Sequence, residues 1–167
     1  AGLVLVDASH PDQWVRWPTP HADKILEVSQ RVVGWLGWFG LLRALNLSRG
    51  ISAGLPVRQV AELRAGAALP GFAATEAAQI RSWSVSREQL NAAQPLGDLP
   101  LAVLAVSEQP VGGELLTALQ RELAELTENA SFEVVQGASH ESLISNREYA
   151  RVVATAIREV ADGSLKS

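Results

Sequence analysis

The chain has 167 residues, 47% of them hydrophobic and 19% charged, with a formal net charge of −4. A chain of this length and composition folds as a globular protein with a sizeable core, and an acidic balance without a basic run argues against nucleic acid or an anionic membrane as partner. It has no cysteine, which excludes disulfides, thiolate metal sites and a cysteine nucleophile, and its three scattered histidines do not compose a metal site.

Residues 2–6, Gly-Leu-Val-Leu-Val, form a continuous apolar run, the pattern of a strand buried on both faces of a parallel sheet. The run ends in a polar loop, Asp7-Ala8-Ser9-His10-Pro11-Asp12, in which His10 and Asp12 read as loop-structuring residues. Residues 13–96 contain no convincing strand. Thr19-Pro20 signals a helix start, and Ile25, Val28, Val32, Trp35, Leu36, Phe39 and Leu42 then recur at steps of three and four. Shorter helices are expected at 57–65 and 72–92. Trp14, Trp17, Trp35 and Trp38 lie early in this region and Trp83 in its last helix. These aromatics read either as ordinary helical core or as an apolar wall over a pocket, the second suiting a helical excursion that leaves a sheet at the end of a strand.

A second apolar strand is expected at 99–106, then a helix at 113–127 with Leu115, Leu116, Leu119, Leu123 and Leu126 on one stripe. A third strand, 132–135, is broken by Gly137, and a last helix at 146–161 turns Tyr149, Val152, Val153, Ala156, Ile157 and Val160 inward. Strand, helix, strand, helix at this spacing implies right-handed crossovers and a parallel sheet. The expected fold class is therefore α/β: a partial parallel sheet of about three strands flanked by helices, built from 1–12 and 97–167, with an all-helical cap inserted at 13–96. Three strands are few for such a sheet, and the first would leave a buried edge for more chain or a second copy to cover. The absence of methionine and the immediate entry into a strand also suggest a fragment of a longer protein. The most apolar stretch, 32–42, is too short and too interrupted by glycine to span a bilayer, which points to a cytoplasmic protein.

His140, in a loop of small residues between the third strand and the next helix, is the candidate general base. A rigid strand end holds the imidazole where substrate can arrive. The alternative is a histidine packed in the loop or capping the following helix.

Together, residues 2–13 (Gly-Leu-Val-Leu-Val-Asp-Ala-Ser-His-Pro-Asp-Gln), a helical cap containing Gly40-Leu41-Leu42-Arg43, the strand Leu101-Ala-Val-Leu-Ala-Val106 and the turn Gly137-Ala138-Ser139-His140 resemble the C-terminal half of an α/β-hydrolase. The resemblance covers essentially the whole chain and implies a cap after the sixth strand and a catalytic histidine, His140, after the eighth. It also implies that the strands carrying the oxyanion-hole loop and the nucleophile elbow lie outside these residues. In many members the acid follows the seventh strand, where this chain offers Glu108 but no aspartate. Other members, similar to certain lipases and haloalkane dehalogenases, carry it directly after the sixth strand, the position of Asp7, which is the favoured acid. Gly50-Ile51-Ser52-Ala53-Gly54 matches G-x-S-x-G but follows a helical stripe rather than a strand, so Ser52 reads as a linker residue.

The resemblance implies ester hydrolysis through an acyl-enzyme, with no cofactor. Trp14, Trp35, Trp38 and Phe39 would bind a small apolar ester-like substrate. Haloperoxidase-, dehalogenase- or epoxide-hydrolase-like chemistry is the alternative within the family. A non-catalytic helical binding or assembly module is the alternative outside it.

Overall fold

The structure, a computed structural model, describes residues 1–44 and 55–165. In chain order its elements are β1 (Leu3–Val6), α1 (Gln13–Arg16), α2 (Ala22–Trp38), α3 (Leu41–Ala44), α4 (Val57–Ala67), α5 (Pro70–Asn91), β2 (Leu101–Val106), α6 (Gly113–Ala124), β3 (Ala130–Val135), α7 (Ser142–Ser145) and α8 (Arg147–Asp162). They group into two compact units, Ala1–Val15 with Ala92–Ser167, and Arg16–Asn91. No helix among the described residues is long and apolar enough to cross a membrane.

The first unit holds a parallel three-stranded sheet in the order β1-β2-β3, with Leu3 opposite Leu101 and Leu101 opposite Ala130. All six residues of β2 are buried, as an uninterrupted apolar run in a central parallel strand requires. Side chains alternate between the two faces. Leu101 and Val103 pack with Leu123 of α6, whereas Ala102 and Leu104 pack with Ala156 and Val160 of α8. The sheet is thus covered by α6 on one face and α8 on the other. β1 departs from the expected burial on both faces, since Leu3 is exposed and Val4, Leu5 and Val6 are only half-buried. Among the described residues β1 pairs on one side only, so it is an edge strand.

Helix α8 is bounded by its own sequence. The Asn146 side chain accepts the Glu148 N–H at 2.8 Å, and Gly163 takes the left-handed conformation that lets the Ser164 N–H reach Glu159 O at 2.8 Å.

The helical unit, described by itself, is built on the packing of α2 against α5. Small residues make that contact. A Cβ on Gly34 would lie 3.6 Å from Ala73 Cβ, one on Gly37 would lie 3.5 Å from Pro70 Cα, and Ala73 and Ala77 are fully buried. The stripe of large apolar residues lies elsewhere: Ile25, Val28, Val32, Trp35 and Phe39 are all exposed, and of that stripe Leu42 is the buried member. The Thr19-Pro20 signal marks a turn rather than the helix start, with the Ala22 N–H bonded to Thr19 O at 3.3 Å and the helix beginning at Ala22 after a left-handed His21.

Candidate functional site

Asp7 and His140 meet at the carboxyl edge of the sheet, where parallel α/β folds place their sites. Asp7 is the first residue beyond β1. Its N–H still bonds Leu104 O at 2.7 Å, but its φ of +45° turns the chain out of the sheet, a conformation that aspartate adopts more readily than most residues.

His140 is held by a loop anchored at several points. Gly137, at φ +73°, donates its N–H to Ser107 Oγ at 2.8 Å and accepts the Tyr149 hydroxyl at 2.8 Å. A Cβ at that position would lie 2.9 Å from the same hydroxyl oxygen, so glycine is needed for space as well as for φ. The Glu108 N–H bonds Ala138 O at 3.0 Å, tying the loop after β3 to the loop after β2. Ala138 and Leu143, both fully buried, pack with Val106 and Val135 and seat the loop on the sheet. Ser139 and Ser142 bond reciprocally, each hydroxyl oxygen accepting the other's N–H at 2.8 and 3.3 Å, which closes the turn that carries His140.

On this platform His140 Nδ1 lies 2.7 Å from Asp7 Oδ2. The Asp7 side chain is 6% exposed and that of His140 69%. An ionised carboxylate only accepts hydrogen bonds, so Nδ1 carries the proton and Nε2 is left as the exposed basic nitrogen. The other carboxylate oxygen, Oδ1, accepts Gln120 Nε2 at 2.7 Å and Gln109 Nε2 at 3.2 Å. Burial alone would raise the Asp7 carboxyl. The hydrogen bonds from His140 and Gln120, the charge of His140 and the Val106 backbone together hold it below its ordinary value. The hydrogen bond to Asp7 pushes the His140 imidazole up against the opposing effect of burial, with the charges of Asp7 and Glu141 adding to the rise.

These directions set a pH window. A raised histidine contributes stability that is complete below its unfolded value of 6.5 and is lost as pH rises through the higher folded value. A lowered aspartate contributes stability that is complete above 3.8 and is lost as pH falls through the lower folded value. Both contributions are complete between 3.8 and 6.5. Thermal melts of the chain and of Asp7→Asn from pH 3 to 9 are therefore expected to diverge most in that window, to converge below it as Asp7 takes up its proton, and to narrow only in part above it, because the Gln120 and Val106 hydrogen bonds to Asp7 persist when His140 loses its charge.

Of the two candidate acids, Asp7 lies against His140, whereas Glu108 is exposed in the loop after β2. His10 Nδ1 accepts the Asp12 N–H at 3.0 Å, and His10 Nε2 lies 3.8 Å from Glu122. Both contacts structure the loop after β1. Trp35, Trp38 and Phe39 come together on a groove of about 640 Å³ between α2 and α5, with Gln30, Arg31 and Arg81 on its polar side. Trp14 is half-buried in the other unit and is not among the lining residues. Ser52 and its flanking glycines lie outside the described residues. Among the described residues, no group of three or more histidine, aspartate or glutamate side chains is placed to hold a metal ion.

Gln120 escaped the sequence reading, although a signal for it exists. It falls four residues after Leu116 and three before Leu123 on the inward face of α6, and a polar side chain on a core face requires a partner. Gln109 and Ser107 carried no comparable signal. Comparison of the chain with protein-family models, with curated proteins and with solved structures finds no match in any of the three.

Proposed function

We propose that this chain is the base-bearing part of an α/β-hydrolase that cleaves carboxylic esters of small apolar substrates through an acyl-enzyme, the nucleophile being supplied by residues outside these 167. The observation that carries the reading is the 2.7 Å contact between a buried carboxylate and an exposed imidazole at the carboxyl edge of the sheet. In the proposed reaction a serine hydroxyl attacks the ester carbonyl while His140 Nε2 accepts its proton. The tetrahedral intermediate collapses, and His140 returns the proton to the departing alcohol. Water then attacks the acyl carbonyl as His140 Nε2 takes its proton, and collapse of the second tetrahedral intermediate breaks the bond to the serine oxygen, releasing the acid while His140 returns the proton to that serine. Asp7 keeps the Nδ1 proton in place and stabilises the imidazolium formed in each half-reaction. In the helical unit, taken by itself, the groove bearing Trp35, Trp38 and Phe39 is lined for an apolar group. An aspartate in place of that serine would use the same base for dehalogenase- or epoxide-hydrolase-like chemistry.

The test is the chain alone on p-nitrophenyl butyrate. It is expected to show no turnover above the buffer rate, because it brings a base but no elbow serine. Turnover abolished by Ser52→Ala would overturn the proposal and make Ser52 the nucleophile.

A further inference from the structure

We infer that Gln120 is a positioning residue for the Asp7–His140 pair: its buried side-chain amide fixes the carboxylate with one oxygen held by glutamine amides and the other turned to His140. Gln120 is 4% exposed, and its Nε2 lies 2.7 Å from Asp7 Oδ1 and 3.2 Å from Ala8 O. Those two acceptors use both amide hydrogens and set the orientation of the amide, since the flipped form would put its carbonyl against two acceptors. The Gln120 carbonyl oxygen is buried with no hydrogen-bond partner. A core side chain kept with its carbonyl unsatisfied is there for its donor end.

Gln109 reaches the same oxygen from the loop after β2, at 3.2 Å, so donors from two different elements converge on Oδ1 and leave Oδ2 to His140 Nδ1. Both donors are neutral. A lysine or arginine at either place would order the carboxylate equally well but would compete for its charge, weakening its hold on the Nδ1 proton. An amide orders the carboxylate and leaves the full negative charge to act on His140. The charged groups acting on His140 are Asp7 and Glu141.

This role rests on the proposal that His140 is a base, but its test reads His140 directly and needs no turnover. In the 15N-labelled chain, Gln120→Met keeps the side-chain length and removes the donor. The midpoint of the His140 titration is expected to fall toward the ordinary imidazole value, and at alkaline pH the single Nδ1-protonated tautomer is expected to become a mixture. A folded Gln120→Met with the parent's midpoint and tautomer overturns the role. Should that variant not fold, Gln120→Asn, one methylene too short to reach Asp7, carries the same two readouts with the same expectations. Absence of esterase activity in the complete enzyme would instead count against the proposed reaction and leave these readouts unchanged.

Discussion

Asp7→Asn is expected to lower kcat by about 10⁴-fold in the proposed hydrolase, once it is supplied with the proposed nucleophile, with KM and the fold nearly unchanged. The substitution is close to isosteric, so the loss arises from proton placement. Gln120 and Gln109 both donate toward the position of Oδ1, and they would draw the new carbonyl oxygen to that side. The asparagine NH₂ would then face His140 Nδ1, which lies 2.7 Å away in the parent. Nδ1 would have to accept, the ring proton would move to Nε2, and the nitrogen that must take the serine proton would already carry one. Steady-state kinetics on a p-nitrophenyl ester measure the effect. A fall of less than tenfold would show that the carboxylate does not govern the tautomer.

Leu143→Ala is expected to destabilise the chain by about 3 kcal/mol, within the range for truncating a fully buried leucine. Leu143 is 0% exposed and packs with Val106 and Val135 of the sheet and with Ala138 of the His140 loop. The cavity would open where that loop is seated on the sheet. Neighbouring Ile144 is 75% exposed, and Ile144→Ala should stay within about 0.5 kcal/mol of the parent. Urea unfolding of the two variants gives the comparison. Equal losses would contradict the packing of α7 on the sheet.

The parts of the fold that sequence made plain are those in which burial and periodicity agree. The run at 101–106 has no polar residue because β2 is buried on both faces, and the stripe Val152, Val153, Ala156, Val160 follows from α8 lying on that sheet, whereas Ile157, expected inward with them, is 52% exposed. Strand limits were less visible. Leu99 reads as strand, yet its N–H bonds Leu96 O in a turn before Pro100, and β2 begins at Leu101. β3 extends back to Ala130 through Ser131, a polar residue that an edge strand tolerates.

In the helical unit, the size of the side chains misled. Large apolar residues on α2 suggested its buried face, whereas Gly34 and Gly37 make the close approach to neighbouring chain and Trp35 and Trp38 are 73% and 80% exposed. At the site, His140 was legible from its place after a strand. Its partner lies 133 positions away, and no local pattern carries such a pairing. It came instead from the resemblance, and Gln120, to which no motif points, was missed.

The most direct test of the central claim is the 1H–15N spectrum of the His140 ring at alkaline pH, where the imidazole is neutral. A proton on Nδ1 and an unprotonated Nε2 are expected in the parent chain, with the proton moved to Nε2 in Asp7→Asn. A parent spectrum with the proton already on Nε2, or one that Asp7→Asn leaves unchanged, would contradict the assignment of Asp7 and His140 as a working acid–base pair.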